Sequence, residues 1–313
     1  MYSRWYNIAV VLLWFSTMTW LVMEKVLPSL LIGTPPDYKS ILQAQQDEPP
    51  VGWEILWNGN HRVGWAIGRT IRLPDGLTEV RNLVRIEDLK QVARSSPGWL
   101  QKLLRIDDFA GGLQIEARSV LVFDSLGHVS RFRSTIGTPE AAVVKVEGVI
   151  DGAELRLAVH YGEVKPFETT LQVGNALLND SISPQSRLPS LREGQEWTVE
   201  MYSPLRRNDP REILQARVES VAPIQWNGSP VKTWVVVYRG DPGSALGGTD
   251  DVRGRMWVDR DGTVLRQQAM LLGSALTFDR LPPDQAAAMI ERHRDRLMKD
   301  QILAPLPFTG RTP

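Results

Sequence analysis

The 313-residue chain has no cysteine. That excludes disulfides, Cys-based zinc and iron–sulfur ligation, and thiol nucleophiles. It leaves the compartment open. The chain also lacks net charge: 36 Lys and Arg balance 36 Asp and Glu. No global field therefore steers it to nucleic acid, and no nucleic-acid partner is expected. Histidine is sparse. His61, His128, His160 and His293 are scattered, and no H-x-x-x-H or H-E-x-x-H spacing offers a zinc site. The Gly-rich stretch 240–251 lacks Gly-Lys-Ser/Thr, and no Gly-x-Ser-x-Gly elbow occurs. The expectation is no metal, no cofactor and no enzymatic activity. Helices of ten or more residues between strands, which parallel β-α-β units need, are missing too.

Eleven tryptophans are present, in a chain 42% apolar and 23% charged, an ordinary balance for a protein that buries a core. Residues 5–23, WYNIAVVLLWFSTMTWLVM, carry no charge. Nineteen helical residues span roughly 28 Å, close to the bilayer core. Trp5, Tyr6 and Trp20 stand near the ends of the run, where amphipathic rings favour the interface. The run exceeds a usual signal-peptide core and no Ala-x-Ala site follows. We read residues 1–33 as an uncleaved single-pass membrane anchor with the body on the extracytoplasmic side. Residues 34–50, rich in Pro and Gln, read as a stalk with room for a helical turn within 38–46.

From Val51 the dominant period is two. WEILW, RVGWAIGRTIRL and LTEVRNLVRIEDL read as consecutive strands. They are joined by Asn58-Gly59 and by Pro74-Asp75-Gly76, both turn formers. Residues 88–105 read as two short helices. Strand signals resume and fill 51–174; residues 175–192 read as a connecting loop. Residues 193–303 hold a second β-rich half. It closes on one helix that Asp284 would cap, with Ala286, Met289, Ile290, His293 and Leu297 on one face. Residues 304–313 read as a frayed tail. The fold class is mainly β (α+β). We expect a curved antiparallel sheet or open half-barrel between an N-terminal transmembrane helix and a C-terminal helix.

WNGNHRVGW (57–65) and WNGSPVKTW (226–234) share Trp-Asn-Gly and a second Trp eight residues on. Duplication into two similar halves and independent hairpins are both open. An even-length loop puts Trp53, Ile55 and Trp57 on one face with Gly64, Ala66 and Gly68 across from them, and Leu56, Val63, Trp65 and Ile67 on the other. With both faces apolar, the pair is either covered twice or lines a cavity. Trp53, Trp57, Trp65, Trp226 and Trp234 are the ligand-groove candidates, with core packing as the competing reading.

MWVDRDGTVL resembles the first motif of the haloacid dehalogenase superfamily, which would make Asp259 a nucleophile and Asp261 an acid/base with magnesium. Only about fifty residues follow, too few for that α/β core, so a hairpin turn is the better reading. An EF-hand fails because Met270 stands at the twelfth position.

The opening GWEILWNGNHRVGWA, the Arg-rich alternating strands and the late WVDRDGTVLRQ hairpin resemble bacterial envelope proteins with the open half-barrel of LolA/LolB-type lipoprotein carriers. Such segments also occur as accessory domains of transglutaminase-like proteins. The resemblance implies a concave apolar face that takes lipid or a lipoprotein, or an envelope protein partner. It departs from the carriers in having a helical anchor and no lipidated Cys. Two other readings stand beside it: a structural or accessory subunit with a filled core, and an unrecognised hydrolase.

Overall fold

The structure, a computed structural model, describes residues 4–21, 36, 38–46, 48–88, 114–138, 142–152, 154–161, 164–172, 179–180, 183–202, 211–240, 252–271 and 274–303. The helices expected within 88–105 fall almost wholly outside these residues, and the tail 304–313 does entirely.

Among the described residues, alternating apolar residues and tight turns make fifteen strands. They are β1 (Val51–Trp57), β2 (His61–Arg72), β3 (Thr78–Ile86), β4 (Ile115–Phe123), β5 (Val129–Gly137), β6 (Ala142–Asp151), β7 (Glu154–Tyr161) and β8 (Val164–Gln172), then β9 (Asn179–Asp180), β10 (Glu196–Tyr202), β11 (Arg211–Trp226), β12 (Ser229–Gly240), β13 (Val252–Val258), β14 (Val264–Leu271) and β15 (Ser274–Arg280). All belong to one open sheet in the order β8 to β1, then β15 down to β9. Every pairing is antiparallel except that of the two-residue β9 with β10. The chain starts at the sheet centre, meanders to one edge, crosses to the other, and returns so that β15 lies beside β1. The strands of both expected halves therefore form one sheet.

The register defines an inner face. Val218, Val236, Met256, Gln267, Phe278, Ile55, Gly64, Ile86 and Ile115 are successive cross-strand partners from β11 to β4. Along a strand, alternate residues share a face, so this row and its neighbours make one apolar surface. Its core runs from Trp197 and Val199 to Ala117, and continues as Leu121, Phe123, Val146, Leu155, Leu157 and Val159.

The short stretch 183–186 shows that this face is concave. Ser183 shares a hydrogen bond with Ser119 of β4. The Gln185 amide donates to Gln267 of β14, and the Ser186 carbonyl accepts from Arg280 of β15. β4 and β14 stand five strand spacings apart, about 24 Å on a flat sheet. Three residues of chain reach at most about 11 Å, and the Ser119 and Gln267 side chains that meet them stand roughly perpendicular to the sheet and add little along it, so the sheet bends around the stretch.

Among the described residues four helices accompany the sheet: α1 (Arg4–Leu21), α2 (Tyr38–Gln45), α3 (Pro283–Arg292) and α4 (Arg294–Lys299). In α1 every described side chain from Val11 to Trp20 is exposed, with Leu13 at 67% and Trp20 at 68%. Among the described residues no helix is long and apolar enough to cross a membrane. The described helix includes Arg4 and Asn7 and stops at Leu21, short of the end of the uncharged run. α2 lies in the segment read as a stalk, but it is docked: Ile41 and Leu42 are each 4% exposed and join the two parts of the inner core.

α3 and α4 cover the outer face at β1–β3. Trp65, Ile67 and Leu83 pack there with Met289, Leu297 and Ile302. Gly52 permits the approach, since a Cβ at that position would stand 2.7 Å from Met289 Cε and 3.2 Å from Ala286 Cβ. The single expected C-terminal helix is broken at His293, and Asp284 does not cap it. Pro282 holds the N-cap position without a side-chain bond and Pro283 occupies N1, where a missing N–H costs nothing.

Candidate functional site

Among the described residues the inner face carries a cleft. Its floor is β1–β4: Val51, Trp53, Gly68, Thr70, Val80, Asn82, Leu121 and Phe123 all border it. Small residues across from β1 make the room, with Ala66 opposite Trp53 and Gly68 opposite Val51. Ile41, Leu42 and Gln45 of α2 form one wall and residues 183–186 the other. The free space between them is about 70 Å³.

Polar contacts fix both walls. Thr70 Oγ1 donates to Gln45 Oε1 at 3.2 Å, and Gln46 Nε2 donates to Thr78 Oγ1 at 3.0 Å. Asn82 Nδ2 reaches Ser119 Oγ at 3.5 Å. Glu48, three residues beyond α2, stands at the polar end. Its Oε1 accepts from Arg187 Nε at 2.6 Å and lies 3.6 Å from Arg280 Nη2. Arg187 Nη1 donates to Thr263 Oγ1 at 2.9 Å, and Arg280 Nη1 to the Ser186 carbonyl at 3.0 Å. Burial pushes the Arg280 guanidinium pKa below its ordinary value, against the pull of the Glu48 carboxylate. The same guanidinium sits 5.9 Å from the centre of the Trp53 ring, within cation–π range. Two buried atoms here have no hydrogen-bond partner: Trp53 Nε1 and Glu48 Oε2.

Of the five indoles read as groove candidates, Trp53 borders the cleft. Trp57 is buried in the same inner core farther along β1, opposite Leu276. Trp65 belongs to the outer face, where it stacks on His293 at 4.5 Å and donates to Glu87 at 3.0 Å. Trp226 donates to the Arg280 carbonyl at 2.9 Å, and Trp234 packs half-buried against the inner core. Sequence reasoning missed Glu48, Arg187 and Arg280. No spacing links residues so far apart, and Glu48 stands in a Pro-rich stretch that reads as linker.

Asp259 and Asp261 form a turn. Asp259 Oδ1 accepts from the amides of Asp261 at 2.9 Å and Thr263 at 2.8 Å. Asp124 treats Leu126 and His128 in the same way. Among the described residues no three His, Asp or Glu side chains converge as metal ligands. The cleft offers hydrogen bonds and apolar contact.

No family model matches the sequence, and no curated protein does. Two solved structures are similar to parts of it. One is a β-barrel-like protein of domain of unknown function DUF1849 from Brucella abortus, at 8% identity and TM-score 0.44, covering 74% of this chain and 94% of its own. The other is a DUF1089 family protein from Pseudomonas aeruginosa, at 15% identity and TM-score 0.28, covering 67% of this chain and 93% of its own.

Proposed function

We propose that the protein is a membrane-anchored, non-enzymatic β-protein whose body lies on the extracytoplasmic side and receives an apolar ligand, a lipid or lipoprotein acyl chain, in its concave face. The observation that carries this reading is the exposure of α1: Val11, Leu12, Leu13, Trp14 and Phe15 are all more than half exposed. So continuous an apolar helix gains by leaving water, and an uncharged run of 5–23 fits a bilayer better than a second protein surface. The ligand half rests on the cleft and on the resemblance of the strand pattern in the sequence to LolA/LolB-type carriers. The alternative of an accessory subunit with a filled core draws support from the complete burial of Trp53 and Ile55 and the near-complete burial of Trp57. In that case the concave face takes no ligand and an envelope protein engages another surface.

The test uses the full chain. It should stay in the membrane pellet after alkaline carbonate washing, and protease added outside should reach the β body. An environment-sensitive acyl probe should then bind the protein in phosphatidylcholine nanodiscs above the signal of empty discs. Extraction by carbonate would sink the anchor; an acyl probe indifferent to the protein would leave the filled-core alternative.

A further inference from the structure

Several polar residues of the cleft are held by hydrogen bonds. Gln45, Asn82, Ser183 and Gln185 are hydrogen-bonded to neighbours. The guanidinium groups of Arg187 and Arg280 are engaged by Glu48, Thr263 and the Ser186 carbonyl. Two buried atoms of residues that border the cleft have no hydrogen-bond partner: a donor, Trp53 Nε1, on a side chain with no solvent exposure, and an acceptor, Glu48 Oε2. Arg280 lies near both residues, 5.9 Å from the Trp53 ring centre and 3.6 Å from Glu48 Oε1. Buried polar groups are nearly always paired, and an orphan asks for a partner. Here two complementary orphans belong to residues that border one cleft.

Size and charge narrow the partner. Free space of about 70 Å³ is room for roughly five waters, or a group of about five heavy atoms. An acyl chain does not fit beside α2. It fits where Ile41 and Leu42 now lie, against Val80, Leu121 and Phe123. A carboxylate head would set acceptors against Glu48 Oε2, and an ammonium head would set donors against Trp53 Nε1. A neutral head carrying both a donor and an acceptor satisfies the two.

We propose that this cleft is the head-group site of a neutral amphiphile, a hydroxyl or primary amide on an apolar chain, with α2 as the cover that the chain displaces. The inference rests on the apolar-ligand reading above and specifies it. Because Glu48 follows α2 by three residues, lifting α2 frees the carboxylate to turn toward the ligand while Trp53 stays fixed in β1.

The experiment titrates octanamide, 1-octanol, octanoate and octylamine into the full chain in phosphatidylcholine nanodiscs, with empty discs as the blank. Hydrogen exchange of residues 38–46 reports the cover. We expect octanamide and 1-octanol to bind at least tenfold tighter than the two charged heads and to speed exchange in α2. Trp53→Phe should weaken octanamide at least fivefold. Should that variant fail to fold, Glu48→Gln replaces it: its amide can donate to a carboxylate, so octanoate should gain on octanamide. Equal binding of all four heads, or an octanamide preference untouched by both variants, overturns the head-group assignment and spares the apolar-ligand reading. No binding of any chain overturns both.

Discussion

The two Trp-Asn-Gly hairpins are spelled alike and live differently. Both turns put Asn and Gly in the left-handed region, with Asn58 and Asn227 each at φ 50°. There the likeness ends. The first has a three-residue loop, with Trp57 opposite His61 and a bulge at Ile55/Leu56. The second has a two-residue loop, with Trp226 opposite Ser229. The first lies at the sheet centre and is covered on both faces, so Trp57 and Trp65 are each 1% exposed. The second overhangs. β13 pairs only Trp234–Arg239 of β12, and the rest of the β11–β12 ribbon is a two-stranded arm tied down where Trp226 meets Arg280. Local sequence dictates the turn; position in the sheet decides what the indole is for. Strand direction also places the two Asn-Gly turns at opposite ends of the sheet.

Substitutions can break this contrast. The largest effect belongs to the centre: Trp53→Ala should destabilise by about 3–5 kcal/mol in urea unfolding, the usual cost of emptying a large core site. Gly52→Val forces a side chain into Met289 and Ala286 and should cost about 1–3 kcal/mol, with α3 losing hydrogen-exchange protection before the strands do. On the arm, Trp226→Ala removes one hydrogen bond and partial burial. It should cost roughly 1 kcal/mol; a loss equal to that at Trp53 would erase the distinction. Asn58→Ala and Asn227→Ala should each cost roughly 1 kcal/mol, because both turns need a positive φ. Equal values would support local encoding and unequal ones would refute it.

The smallest effect is one of pH. Burial under α3 and against Trp65 lowers the His293 pKa, opposed by Glu87 and reinforced by Arg292, Arg85 and Arg62. A histidine whose folded pKa lies below its unfolded value binds protons more readily when unfolded. Its contribution is intact above the unfolded value, about 6.5, and is lost as pH falls below that. Thermal melts of the protein should therefore soften below pH 6.5 in a way that His293→Phe abolishes.

How much of this was legible is a matter of range. Trp53 facing Ala66 follows from a period of two and an Asn-Gly turn, because both act within a few residues. So does the two-sided apolar character of β1 and β2. The pairing of β1 with β15 has no local signal. Nor does the docking of α2, whose Ile41 and Leu42 sit in a Gln- and Pro-rich stretch that reads as spacer. The Glu48, Arg187 and Arg280 cluster exists only after the sheet bends. Trp65 shows the limit from the other side: alternation puts it on the face away from Trp53, yet only the C-terminal helices determine that this face is covered.

One consequence follows from β15 lying beside β1. During synthesis the first strand emerges with one flank bare, and its natural neighbour is made last. At roughly 5–20 residues per second, that flank waits on the order of 10–45 s. A growing chain in this state has a sticky seam down its middle, open to any stray strand. Whatever escorts it through that interval, chaperone or export machinery, guards the seam until the final strand zips it shut.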